Sequence, residues 1–133
     1  MKKEKIELLK TYANSNVAPV IIDFMDDISI SNSVVLPANC ELSELNGYYE
    51  NLEYVPPKWF NKLSEFNDTC ALIIDKIDSI PKNEQAKFIE ILKYKKVSTF
   101  ELPKNAAIIV TASKINKDVI NDEVYSLVAH ISE

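Results

Sequence analysis

The chain has 133 residues, 47% of them hydrophobic and 26% charged, with a formal net charge of −5, which is enough apolar material for one core and a single domain over 1–133. All 15 basic residues are lysines, so the side chain best suited to bidentate contact with phosphate or guanine is missing, which argues against specific nucleic-acid reading. No run approaches the roughly 18 apolar residues that would span a bilayer, and the N-terminus leads into an amphipathic stretch with no secretory character, so a cytoplasmic protein that avoids the membrane is expected.

Ile6, Leu8, Leu9 and Tyr12 recur at helical spacing and predict a first helix over 2–12. Residues 17–24 are short, β-branched and bounded by turn formers, as expected of a buried strand, with Pro19 near its start. A glycine-free connection over 25–32 leads to a weaker strand candidate at 33–37. Residues 41–53 read as loop with a helical turn and carry the only glycine, Gly47. Pro56 and Pro57 open a short helix over 58–66, with Trp59 assigned to the core. An apolar strand over 71–74 ends at Asp75, and Ser79, Ile80 and Pro81 start the clearest helix, whose expected inner face is Ala86, Ile89 and Leu92. Residues 97–102 read as extended, 103–105 as a turn and 106–112 as a second fully apolar strand. A helical turn and a short strand at 127–131 complete the chain.

The segment Cys70-Ala-Leu-Ile-Ile-Asp-Lys-Ile-Asp-Ser-Ile-Pro81 carries the most information. Four buried-type residues run into an aspartate, as in the Walker B strand that holds the magnesium carboxylate of nucleotide-hydrolysing proteins. The order of elements extends the parallel: Leu45-Asn-Gly-Tyr48, Tyr54-Val-Pro-Pro-Lys-Trp-Phe60, the strand ending at Asp75, the Pro81 helix, Leu102-Pro-Lys-Asn105 and Ile108-Ile-Val-Thr-Ala-Ser113. Residues 36–113 thus resemble the ATPase core of the AAA+ superfamily, closest to its MoxR-like and dynein-related branch. The resemblance implies a three-layer α/β fold with a mainly parallel, P-loop-NTPase-like sheet of four or five strands, truncated and without the helical lid. Its centre is expected at 71–74 and 107–110.

The departures from that pattern bear on function. Lys76 stands where an acid would orient the attacking water, and Ser113 where the sensor position is often Asn. No glycine precedes Gly47, so the phosphate-cradling loop and its lysine are missing. Either that loop was lost after the strand at 17–24, where Asp26 and Asp27 would repel a triphosphate, or the helix at 2–12 is the remnant of what followed it. No arginine exists to act on a neighbour's nucleotide. The resemblance therefore implies a degenerate relative with relic residues Asp75, Lys76 and Asp78 and no catalytic residue, resident metal or cofactor. It would serve as a protein-interaction or regulatory module, whose partner could be an active ATPase of the superfamily or an unrelated protein. Tyr48, Tyr49, Tyr54 and Val55 are the candidate interface, or else the cover of an opened core. Two readings from other classes stand beside it: a metal-dependent hydrolase using Asp75 and Asp78, with Asp26 and Asp27 near them, and residual nucleotide binding in an altered mode. Cys40 and Cys70 are read as free or buried thiols, and His130 as a surface or sheet-edge residue.

Overall fold

The structure, a computed structural model, describes residues 19–23 and 32–131. The expected helix over 2–12, most of the 25–32 connection, and Asp26 and Asp27 lie outside the described residues. Five strands form one wholly parallel sheet in the order β2-β5-β8-β1-β9. They are β1 (Val20–Asp23), β2 (Ser33–Pro37), β5 (Cys70–Asp75), β8 (Ala106–Ala112) and β9 (Ala129–Ile131). Two two-stranded hairpins stand apart from it: β3 (Tyr48–Glu50) with β4 (Glu53–Val55), and β6 (Lys96–Val97) with β7 (Phe100–Glu101). Among the described residues the helices are α1 (Leu42–Asn46), α2 (Lys58–Ser64), α3 (Lys82–Gln85), α4 (Ile89–Tyr94) and α5 (Asp122–Leu127). Among the described residues no helix is long and apolar enough to cross a membrane.

The central strands are where the uninterrupted apolar runs put them. Every residue of β8, and every residue of β5 except Asp75, is buried, because a parallel strand covered on both faces has no solvent side for polar alternation. Leu72, Ile74, Ile108, Val110 and Leu36 point from one face into the core with Phe88, Leu63 and Trp59. Ala71, Ile73, Ala107 and Ile109 on the opposite face are buried as well. Burying side chains of this size contributes about 1.5–3 kcal/mol each, so the pair β5 and β8 is the energetic centre of the sheet.

β2 is an edge strand, and its ladder explains how a proline fits within it. The carbonyl of Asn32 accepts from Ala71 N–H and the amide of Ala38 donates to Asp75. Backbone groups alternate sides along a strand, so those of Val34 and Leu36 also serve β5, while those of Val35 and Pro37 face the open edge. Pro37 therefore gives up no ladder donor.

Three expectations are corrected. Residues 41–53 are ordered beyond a loop, into α1 and most of the β3–β4 hairpin. Gly47 joins the two at φ +76, where an added Cβ would lie 2.4 Å from the Val55 carbonyl oxygen, so no other residue fits unchanged. Residues 97–102 are not continuously extended: they fold back between Val97 and Phe100, with Ser98 at φ +56. The Pro81 helix is broken by a 3₁₀ turn at Ala86–Phe88, which rotates the inner face. Ala86 is exposed, while Gln85, Phe88, Ile91 and Leu92 are buried. Gln85 is wholly enclosed and fully bonded: its Nε2 donates to the carbonyls of Ile80 (3.1 Å) and Val119 (2.8 Å), and its Oε1 accepts from Asn121 N–H (2.7 Å). It ties the β5–β8 crossover to the segment entering α5, whose N-cap is Asn121.

Candidate functional site

The carboxyl ends of β5 and β8 bring together most of the residues the sequence singled out. Chain direction places them there, because adjacent parallel strands end at the same edge of the sheet and their following loops meet. Asp75 closes β5, and Lys76 leaves it in the left-handed region (φ 58, ψ 56) before the 3₁₀ turn Ile77–Ser79. A lysine gains nothing from that conformation, and local bonds hold it there. Lys76 N–H donates to Thr111 Oγ1 (2.8 Å), and the Lys76 carbonyl accepts from Ser79 N–H (3.0 Å) and Ser79 Oγ (2.6 Å). The Thr111 hydroxyl in turn donates a hydrogen bond to Asp75 Oδ1 at 2.9 Å. Thr111 is buried, so this two-sided use is what makes a hydroxyl tolerable inside β8.

Asp78 grips the other loop. Its carboxylate accepts from Ser113 N–H at 3.1 and 3.2 Å, from Lys114 N–H at 3.3 Å and from the Ser113 hydroxyl. Ser113 therefore stands directly beside Asp78, and the pair works as a clasp between the two loops. Charge-assisted bonds of this kind are worth about 1.5–3 kcal/mol each. Thr111 was not singled out from the sequence. The apolar run 106–112 hides it, although one hydroxyl residue inside such a run is the available signal.

The chemical capacity of the arrangement is narrow. Lys76 is exposed and its ammonium can only donate. Asp75 and Asp78 are the two carboxylates at these strand ends, and both accept hydrogen bonds from the chain. Among the described residues no group of three or more His, Cys, Asp or Glu side chains could hold a metal ion.

The aromatic residues form a second region. Register pairs Tyr48 with Val55 and Tyr49 with Tyr54, so alternation sends the two pairs to opposite faces of the β3–β4 hairpin. Tyr54 stacks on Phe100 (centroids 5.4 Å apart), which meets Phe60 at 6.0 Å, and Phe60 meets Trp59 edge-on at 6.0 Å. Trp59 is buried and its Nε1 donates to the Leu45 carbonyl at 2.9 Å. The Tyr54 hydroxyl bonds to the Asn46 carbonyl, and burial pushes its phenol above the ordinary range. Tyr54 is thus a half-buried strut, whereas Tyr48 and Tyr49 are 50% and 72% exposed and Leu52, at the hairpin tip, is 98% exposed. Tyr48 and Val55 also line a groove of about 550 Å³ beside β2.

Cys40 and Cys70 are free and buried, and burial raises both thiols. His130 is exposed on the edge strand β9. No protein-family model matches this sequence, and no curated protein matches it.

Proposed function

We propose that the chain is a degenerate AAA+-like domain that neither binds nor hydrolyses ATP and works as a protein-interaction or regulatory module, its partner being an active ATPase of the superfamily or an unrelated protein. The observation that carries this reading is the internal use of Asp75 and Asp78. Thr111, Ser113 and Lys114 donate to the carboxylate oxygens that a magnesium nucleotide would need, and Lys76 takes the position of the water-orienting acid. The position of β1 adds support. Asp23 is in register with Ala112, so β1 ends at the same edge of the sheet as β8. This favours the reading in which the phosphate loop was lost after β1. The sequence there, 24–31, holds Asp26 and Asp27 and no glycine, so it lacks the backbone freedom of a phosphate cradle and adds like charge.

Calorimetry with millimolar ATP or ADP and magnesium tests the reading directly: no binding heat is expected. An affinity tighter than roughly 100 μM, about −5.5 kcal/mol, would overturn it. Lys76→Glu restores the missing acid, yet without a positioned nucleotide its ATPase rate should stay at background. Measurable hydrolysis by purified Lys76→Glu protein would count equally against the proposal.

A further inference from the structure

The groove beside β2 combines three features that individually mean little. Its floor is the edge strand: Val35 is 51% exposed and turns its N–H and C=O away from β5. Its far wall is apolar, formed by Tyr48, Val55 and Pro57 with Trp59 behind. Lys58 and Lys62 line it one turn apart on α2, and among the described residues neither is paired with a carboxylate. The groove's acid, Glu44, is turned to local use, accepting from Glu41 N–H at 3.4 Å in the capping box of α1.

We infer that this groove takes an extended, acidic peptide segment of a partner protein, which adds a strand to the open edge of β2 and sets carboxylates against Lys58 and Lys62. The backbone supplies the reason for an extended partner: among the described residues no strand pairs with the outer side of β2, where Val35 presents its N–H and C=O, and the adjacent wall selects side chains at alternate positions. The lysine pair supplies the sign. Pro37 ends the available edge on its carboxyl side because it has no N–H, so the match is short and an affinity in the micromolar range or weaker follows. This inference rests on the interaction reading above and names the partner's chemistry.

The test uses the full chain and a fluorescein-labelled octapeptide of alternating valine and glutamate, with alternating valine and lysine as the charge-reversed probe. Anisotropy should show the glutamate peptide binding at least tenfold tighter. Lys58→Glu/Lys62→Glu, two exposed positions, should reverse that preference. Val35→Pro should abolish binding of either peptide, and circular dichroism with thermal melting will show that this variant is folded. If Val35→Pro is unfolded, slowed amide exchange at Val35 on addition of the glutamate peptide to the parent protein replaces it. Equal affinity for the two peptides, or no binding of the glutamate peptide at 1 mM, overturns the inference. So does a parent dimer in sedimentation equilibrium that Val35→Pro dissociates, because the edge would then serve a second copy. None of these outcomes touches the nucleotide titration, so failure here and failure of the non-catalytic reading are separate results.

Discussion

Asp75 and Asp78 sit three residues apart and serve the same edge of the sheet, yet their substitutions should differ. Asp75→Asn keeps an oxygen for the Thr111 hydroxyl, so a change of about 1 kcal/mol or less is expected. Asp78→Ala strips partners from the Ser113 hydroxyl and from two backbone amides, and a loss of about 2–3 kcal/mol is expected in urea unfolding. Similar small losses for both would mean that solvent replaces the clasp. The thiols give a pH signature. Burial, the largest influence on each, holds Cys40 and Cys70 protonated above the ordinary value of 9.0, with Lys87 and Lys95 opposing it. Above pH 9 the unfolded chain loses those protons while the folded chain keeps them, so their contribution to stability falls as pH rises. Lys95 acts in the other direction: burial lowers its ammonium from 10.5, the unfolded chain holds the extra proton, and stability gains as pH rises toward 10.5. Unfolding free energies of Cys40→Ala/Cys70→Ala protein at pH 8, 9 and 10 should therefore decline less steeply, or rise more steeply, than those of the parent. An unchanged slope would contradict thiol burial as the cause.

At the scale of elements, the turns separate what could be read from what could not. Strands β5 and β8 were legible because continuous apolar runs have one economical use in a sheet covered on both faces. The hairpins were not. Asn51 and Leu52 form the two-residue connection between Glu50 and Glu53 with φ of 52 and 70, the paired positive angles of a type I′ turn. Asn fits that geometry; Leu contradicts it, which is why the sequence reads as loop. The β6–β7 turn hides in the same way, since Ser98 and Thr99 carry no turn signal. A leucine held in the left-handed region costs about 1 kcal/mol. Its side chain is 98% exposed and returns little burial. Leu52→Gly should accordingly leave stability unchanged or raise it by up to about 0.5 kcal/mol, once the entropy of the unfolded glycine, about 0.5–1 kcal/mol, is set against the relieved strain. Destabilisation would show instead that Leu52 makes contacts worth more than the strain. The interrupted Pro81 helix was misread for a related reason: periodicity assumes a regular 3.6-residue repeat, and the 3₁₀ turn at Ala86–Phe88 carries the inner face from the expected Ala86 to Gln85.

For the whole molecule, one sheet carries both proposals, at different edges. The carboxyl ends of β5 and β8 are closed by Thr111, Asp78 and Ser113, while among the described residues no strand pairs with the lateral edge at β2. A sheet built this way has a gradient of protection from its centre outward, because opening an edge strand exposes less apolar surface than separating β5 from β8. Amide exchange should be slowest at Leu72, Ile74, Ala107 and Ile109, all buried and bonded within the central pair. Within β2 the rates should alternate: Val34 and Leu36 protected by their bonds to β5, Val35 between them exchanging at least tenfold faster because its N–H faces the open edge. That alternation separates two molecules that would otherwise look alike in a melting curve. If Val35 is as protected as its neighbours in the isolated protein, something already covers the edge, and the surface left for a partner reduces to the exposed faces of Tyr48, Tyr49 and Leu52.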